Sequence, residues 1–316
     1  MDVLGHTPPP RRRARTSGLL LGVAAVLSSL AAVPAGTAAP PAPASLPGPA
    51  AAPGLPGGEG ELLGELPRRG LRVATFNVLG ANHTEPGGNK PGWPRYEWRM
   101  HRTVRMLERL RVGVAGFQEF QKPQQAKFRR VTGDRWAMSP DGKPVNAIVW
   151  RTDRWTLRDS GSLDVPYFNG RDRPTPYVLL DPVGPRRRPV WFVNVHNPSS
   201  AKGPAEEYRT IALRREARLV RRLTERTRHP VVLLGDFNAR KDAFCPLARR
   251  GLEASAGGSW SRRRGCRLPE RPRIDWIFAG PGVGLRGHLE STYPRARGVS
   301  DHRLIVSVVR PPLRPR

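Results

Sequence analysis

Cysteine is nearly absent from this sequence: two residues in 316, with no Cys-x-x-Cys pair. The spacing that structural zinc sites use is therefore missing. Acids are also scarce, with 26 Asp and Glu against 54 Lys and Arg, a formal net charge of +28. No internal repeat is visible, which excludes solenoid and propeller arrays. The one long apolar stretch, from Gly18 to about Val33, is too short to span a bilayer comfortably.

That stretch follows Arg11-Arg12-Arg13-Ala14-Arg15 and ends in small residues, the pattern of a secretory signal. Residues 1–39 are read as that signal, with cleavage after Ala35 or Ala39, and the protein is expected to be secreted to the extracellular space. An uncleaved membrane anchor is the alternative, and the general and twin-arginine export routes both stay open. No Cys lies near the cleavage region, which argues against a lipoprotein. Residues 40–69 are rich in Ala, Pro and Gly and have too few large apolar side chains to offset the entropy of ordering, so they read as a leader. The catalytic domain is expected over 70–312, with no membrane span in the mature form and a monomeric state.

The charge belongs to that domain. Residues 1–69 contain six Arg and four acids, leaving 48 basic and 22 acidic groups, a net of +26. A bias toward Arg accounts for Arg over Lys, and less readily for the surplus over acids. A surface this positive attracts polyanions. Nucleic acid is the foremost partner; anionic lipid and cell-wall polymer would be drawn as well.

Several apolar runs end in chemistry. Val231-Val232-Leu233-Leu234 leads into Gly235-Asp236-Phe237-Asn238. In an extended chain residues two apart share a face, so Asp236 and Asn238 would project together at a strand end. Taken alone, such a pair also fits an ordinary turn. Similar runs end at Asn77, at Gln118-Glu119 and at His196, while Arg273-Ile274-Asp275-Trp276 places an acid among apolar neighbours and Ser300-Asp301-His302 opens a last run. Strands are expected near 71–78, 112–118, 145–150, 190–196, 230–236, 274–279 and 303–309. Helical spacing of apolar residues predicts helices over 95–110 and 205–227.

This ordered set, from about Leu71 to Val309, resembles the endonuclease/exonuclease/phosphatase superfamily, which includes deoxyribonuclease I, neutral sphingomyelinases and inositol polyphosphate 5-phosphatases. The resemblance implies an α/β (α+β) fold like that of deoxyribonuclease I, a four-layer sandwich of two mixed β-sheets flanked by helices. It implies a metal-dependent phosphodiesterase using magnesium or manganese (Mg2+ or Mn2+), with calcium (Ca2+) as a further candidate. Glu119, with the amide oxygen of Asn77, is expected to hold the metal, and Asp301 to add a contact. Asp236 would orient or deprotonate the attacking water, and Asn238 would hold the phosphate. His302, oriented by Asp275, would donate a proton, and His196 would contact the phosphate from the other side.

One departure stands out. In deoxyribonuclease I the mid-chain His is braced by a Glu preceding the next central strand, whereas Gly142-Lys143-Pro144-Val145-Asn146-Ala147 contains no acid. Asn146 is therefore expected to contact substrate, or His196 instead. Histidines outside the motifs, His83 among them, are assigned no role. Cys245 and Cys266, as the only cysteines of an exported chain, are most simply paired, with free thiols as the alternative; deoxyribonuclease I has a disulfide across the corresponding stretch.

The expected function is a secreted nuclease acting on DNA or RNA. The alternatives are the same chemistry on sphingomyelin or a small phosphoester, and an inactive polyanion-binding protein. Pro166-Tyr167-Phe168 is the one hint of a lipid-facing loop. The intact acid and His motifs speak against the inactive reading.

Overall fold

Apolar residues that alternate between two environments organise the domain. The computed structural model describes residues 66, 67, 70–142, 145–184 and 187–312; the signal segment and nearly all of the leader lie outside the described residues. The strands in chain order are β1 (Leu71–Asn77), β2 (Val112–Gln118), β3 (Trp136–Ser139), β4 (Ala147–Arg151), β5 (Trp155–Pro166), β6 (Asp172–Pro182) and β7 (Val190–His196). They continue with β8 (Val231–Asp236), β9 (Glu253–Ala254), β10 (Ser259–Ser261), β11 (Gly265–Arg267), β12 (Asp275–Ala279), β13 (Gly284–Ser291) and β14 (Leu304–Arg310). The helices are α1 (Tyr96–Arg109), α2 (Lys122–Thr132), α3 (Glu206–Thr227), α4 (Lys241–Arg249) and the single turn α5 (Tyr293–Ala296).

One sheet runs in the order β13-β14-β1-β2-β4-β3 and the other β5-β6-β7-β8-β12-β9. Each has one parallel pair at its centre, β1 with β2 and β7 with β8, and antiparallel pairs outside it. The central strands are buried along nearly their whole length, as expected where both faces of a sheet are covered. Val73, Val114, Ile148, Phe192, Val232, Leu234 and Ile277 meet between the sheets. Their neighbours one residue away point outward. Ala74, Phe76 and Phe117 pack under Met100, Val104 and Leu107 of α1 and Phe128 of α2; Trp191, Leu233 and Phe278 pack under Leu213, Val220 and Leu223 of α3 and Phe244 of α4. The result is the expected four-layer sandwich. Leu66, placed in the leader by composition, is buried in the first of these outer cores.

The expected strands and both expected helices are present. The long β5–β6 hairpin was not expected, because β5 has exposed polar residues such as Asp159 and β6 contains Pro174 and Pro176. An edge strand tolerates both. Helix α4 contains Pro246, which masked it in the sequence. Cys245 of α4 and Cys266 of β11 form a disulfide across 21 residues, a closure worth roughly 3 kcal/mol in the loop-entropy picture.

Beneath one end of the sandwich the sheets are joined by a polar seam. Gln118 Nε2 donates to Asn194 Oδ1 (2.6 Å) and Thr75 Oγ1 (3.1 Å), while Asn194 Nδ2 donates to the carbonyls of Phe117 and Ala147, both at 2.9 Å. Gly116 lets the sheets approach here, since a Cβ at that position would lie 2.2 Å from Leu234 Cδ1 and 2.6 Å from Asn194 Oδ1. Gly116→Ala should therefore destabilise the fold by about 1–3 kcal/mol through overpacking. Thermal or urea denaturation checks this, and an unchanged midpoint would contradict it.

Candidate active site

The two parallel pairs deliver their C-terminal ends to the same end of the sandwich, so side chains far apart in sequence converge there. Asp275 is register partner to Asp236, and His196 is also paired with Asp236. Gly235 makes the approach possible: at φ 147 a Cβ would sit 2.1 Å from the Val195 carbonyl oxygen. Just past the strand ends Glu119 (φ 56) and Asn238 (φ 48) adopt the left-handed region, which is costly for residues other than Gly and collects at functional sites.

Asp236, Asp275 and His302 form the centre. Asp236 is 1% exposed and Asp275 7%. His302 Nδ1 lies 3.1 and 3.0 Å from the two carboxylate oxygens of Asp275, and its Nε2 lies 3.7 Å from Asp236 Oδ2. Burial alone would lower the His302 pKa, but the charges of Asp275 and Asp236 and the Asp275 hydrogen bond outweigh it and raise it to about 10. The imidazole is thus held protonated with Nε2 facing the cleft. Burial pushes the Asp236 carboxyl up, and His302 pulls against that shift.

His196 completes the other wall. It is buried, and burial lowers its pKa to about 3, so the ring is neutral. Its Nε2 lies 3.7 Å from Asp236 Oδ2 and 3.4 Å from the Tyr167 hydroxyl. Of the two contacts expected of Asn146, the one to His196 is not made: among the described residues both its amide atoms are buried without a hydrogen-bond partner, and the Tyr167 hydroxyl takes the position beside the ring. Asn238 is held by its own backbone N–H donating to Asp236 Oδ1 (2.9 Å) and by Nδ2 donating to the Asn197 carbonyl (2.8 Å). One amide hydrogen of Asn238 therefore remains for a substrate oxygen. Asn197 is itself anchored on the buried Glu216 of α3, at 3.3 Å; burial pushes the Glu216 carboxyl up to about 8.

On the opposite side Glu119 accepts from Asn77 Nδ2 (3.0 Å) and from the Gly80 backbone N–H (2.9 Å), and lies 3.2 Å from His83 Nε2. Burial opposes its ionisation, yet the His83, Asn77 and Gly80 hydrogen bonds prevail and hold the carboxyl well below the usual range. Asn77 differs from expectation in orientation. Its Nδ2 faces both Glu119 and Asp236, while its Oδ1 accepts the Leu79 N–H at 3.0 Å, because Leu79 turns left-handed (φ 54) and its amide needs an acceptor. Asp301 is half-buried and paired with Lys90 at 3.1 Å. Among the described residues, Asp236, Asp275 and His302 form a group of three acid and His side chains whose ligand atoms all lie within 4.8 Å of one another, and neither Glu119 nor Asp301 belongs to it.

A single arginine holds this side together. Arg99, fully buried, donates to the carbonyls of Val78, Leu79, Gly80, Pro94 and Val299, and burial lowers its pKa to about 10. It ties the loop that offers Gly80 to Glu119 to the loop that leads into Ser300-Asp301-His302. His83, assigned no role by sequence, and Tyr167, singled out only as part of a lipid-facing loop, are functional candidates that sequence reasoning did not place at the site. Neither sits in a motif, and only the fold brings them to the site.

The oxygens of an ionised Glu119 and a buried Asp236 suit a hard divalent cation, with Asn77 orienting both carboxylates through Nδ2. The endonuclease/exonuclease/phosphatase family model matches residues 74–302. Solved structures with the same fold include a protein of unknown function from Enterococcus faecalis (18% identity, 76% of this chain and 100% of that chain, TM-score 0.58). A mannosyl-6-phosphatase from Bacteroides thetaiotaomicron covers 76% of this chain and 99% of its own at 18% identity and TM-score 0.58. The human Nocturnin catalytic domain with bound sulfate covers 76% and 94% at 14% identity and TM-score 0.58. No curated protein matches the sequence.

Because the His302 pKa is raised in the folded state, its imidazolium contributes stability that is complete below about 6.5 and is lost as pH rises through about 10. Asp275→Asn should move the His302 titration down toward the ordinary histidine value and narrow that window. NMR titration of the ring reads this directly; a His302 pKa still near 10 in the variant would show that Asp275 is not its main partner.

Proposed function

We propose that this chain, which belongs to the endonuclease/exonuclease/phosphatase family, is a secreted, divalent-metal-dependent phosphodiesterase that cuts nucleic acid. Membership of that family makes it a hydrolase of phosphoester bonds. The observation that carries the proposal is the Asp236–His302–Asp275 cluster with its two buried acids, which pairs a carboxylate basic enough to take a proton with an imidazolium able to give one.

Each part then has a task. Asp236 Oδ2, 3.7 Å from the Nε2 atoms of both His196 and His302, orients the attacking water and accepts its proton. Neutral His196 and the free amide hydrogen of Asn238 bind the non-bridging oxygens. His302 faces the phosphoryl group through Nε2 and supplies charge or a proton as the ester bond breaks, with Asp275 fixing its tautomer. Glu119 and Asp236 are the residues that would hold the cation, with Asn77 orienting both carboxylates and Asp301 at the rim. When bound, a divalent ion neutralises a phosphate oxygen and the departing oxyanion.

Charge favours a long polyanion. The +26 net charge of residues 70–316 draws such substrates to the surface and makes binding fall steeply with salt. Arg262, Arg263 and Arg264 stand exposed at the tip of the β10–β11 hairpin, which the disulfide ties to α4. Among the described residues no helix is long and apolar enough to cross a membrane. The basic, apolar segment at the N-terminus supports export, and appearance of a shortened chain in the culture medium tests it.

The decisive assay offers the mature chain supercoiled plasmid, single-stranded RNA, sphingomyelin, mannose 6-phosphate and bis(p-nitrophenyl) phosphate with magnesium or manganese. Plasmid or RNA should be cut, chelator should abolish the cut, and Asp236→Ala should lower the rate by roughly 10^3-fold or more. Turnover of sphingomyelin or the sugar phosphate alone would replace the substrate.

A further inference from the structure

Beside His196 lies a pocket of about 490 Å3 whose lining includes Asn146, Tyr167, Phe168, Arg171 and Arg173. Asn146 is 1% exposed, and among the described residues neither its Nδ2 nor its Oδ1 has a hydrogen-bond partner. A buried amide left wholly unpaired is rare and costly, which points to a ligand that supplies both a donor and an acceptor. The wall is aromatic: the Tyr167 and Phe168 rings lie 4.3 Å apart, tilted by 52°. Cations flank it, with the Arg173 guanidinium 3.6 Å from the Tyr167 centroid and the Lys202 ammonium 5.3 Å from that of Phe168, while the one acid of the lining, Asp172, is paired with Arg215 at 3.2 Å. The Tyr167 hydroxyl, 3.4 Å from His196 Nε2, fixes this wall to the reacting end of the site.

We propose that this pocket receives the nucleobase adjacent to the scissile phosphate. The assignment rests on the nuclease reading above and deepens it. A base supplies a flat π face for the half-buried Phe168 ring, electron-rich edges for the flanking cations, and a neighbouring donor and acceptor for the Asn146 amide, as the N6/N7 edge of adenine does for an asparagine. A hexose offers hydroxyls to the amide but no π face to the cation-framed ring. Arg171, exposed at the mouth, is placed to meet a flanking phosphate. Tyr167 thus serves both sides, positioning His196 on one and walling the pocket on the other.

The test is calorimetric binding of deoxyadenosine 5′-monophosphate, 2-deoxyribose 5-phosphate and mannose 6-phosphate to the mature chain with magnesium. The nucleotide should bind about tenfold more tightly than the deoxyribose phosphate, and Asn146→Ala and Phe168→Ala should each bring that ratio close to one. Asn146→Ala should also leave the melting temperature unchanged or higher, because no internal hydrogen bond is lost. Equal affinity for the nucleotide and the deoxyribose phosphate in the wild type would overturn the assignment, as would tighter binding of mannose 6-phosphate. So would an Asn146→Ala variant that melts lower but keeps the preference, which would make the residue purely structural. Plasmid cleavage run on the same preparation reports the nuclease reading separately, and cleavage without any base preference sinks the pocket assignment alone.

Discussion

Two carboxylates held out of water, Asp236 and Asp275, stand within reach of the partly exposed imidazolium of His302, and the rest of the structure is arranged around the cost of doing so. Buried charge persists only when it is paired and hydrogen-bonded. The imidazolium between two acids supplies the pairing. The Asn77 amide, donating to both Glu119 and Asp236, and the Asn238 backbone N–H supply further donors. Acids on either side of Asn77 are thereby kept in one frame, and the cleft stays poised to exchange these internal partners for a cation and a phosphate.

Holding that frame requires rigidity beneath and beside it. The Gln118–Asn194 seam locks the two sheets together directly under the strand ends. Arg99 does the same for the loops, since a fully buried guanidinium satisfied by several carbonyls leaves the chain little freedom at Val78–Gly80 and Val299. On the α3 side, Glu216 anchors Asn197, and Asn197 in turn holds Asn238. Positioning groups of this kind lie one step from the chemistry, on strands in the case of Gln118 and Asn194 and on helices and loops in the case of Arg99, Glu216 and Asn197.

The contrast explains what the sequence could disclose. Asn77, Glu119, His196 and Asp236 were legible because each ends a run of apolar residues, and Asp275 and His302 because each opens one; a strand end is a local feature that the period of the run marks. Central strands and the two long amphipathic helices were legible for the same reason. His83 was not: it sits in a short turn whose path to Glu119 is set by Arg99 and Gln124, far away in sequence. Tyr167 reached His196 only through a hairpin whose edge-strand composition hid it. Asn77 was found in place but with its amide turned the other way, because the demand that turned it comes from the left-handed Leu79, which no strand pattern reveals. Asn146 drew notice because its stretch lacks an acid, and its buried amide, unpartnered among the described residues, is what the base-pocket proposal rests on.

The central claim is that Asp236 and His302 act as one unit rather than as two independent aids. The measurement that tests it most directly is a double-mutant cycle on diester hydrolysis, with Asp236→Asn, His302→Gln and both together. Groups that cooperate in one step are strongly non-additive, so the account expects the double variant to be about as slow as the slower single one. Losses that simply multiply would mean that the two residues work separately, and would contradict the account.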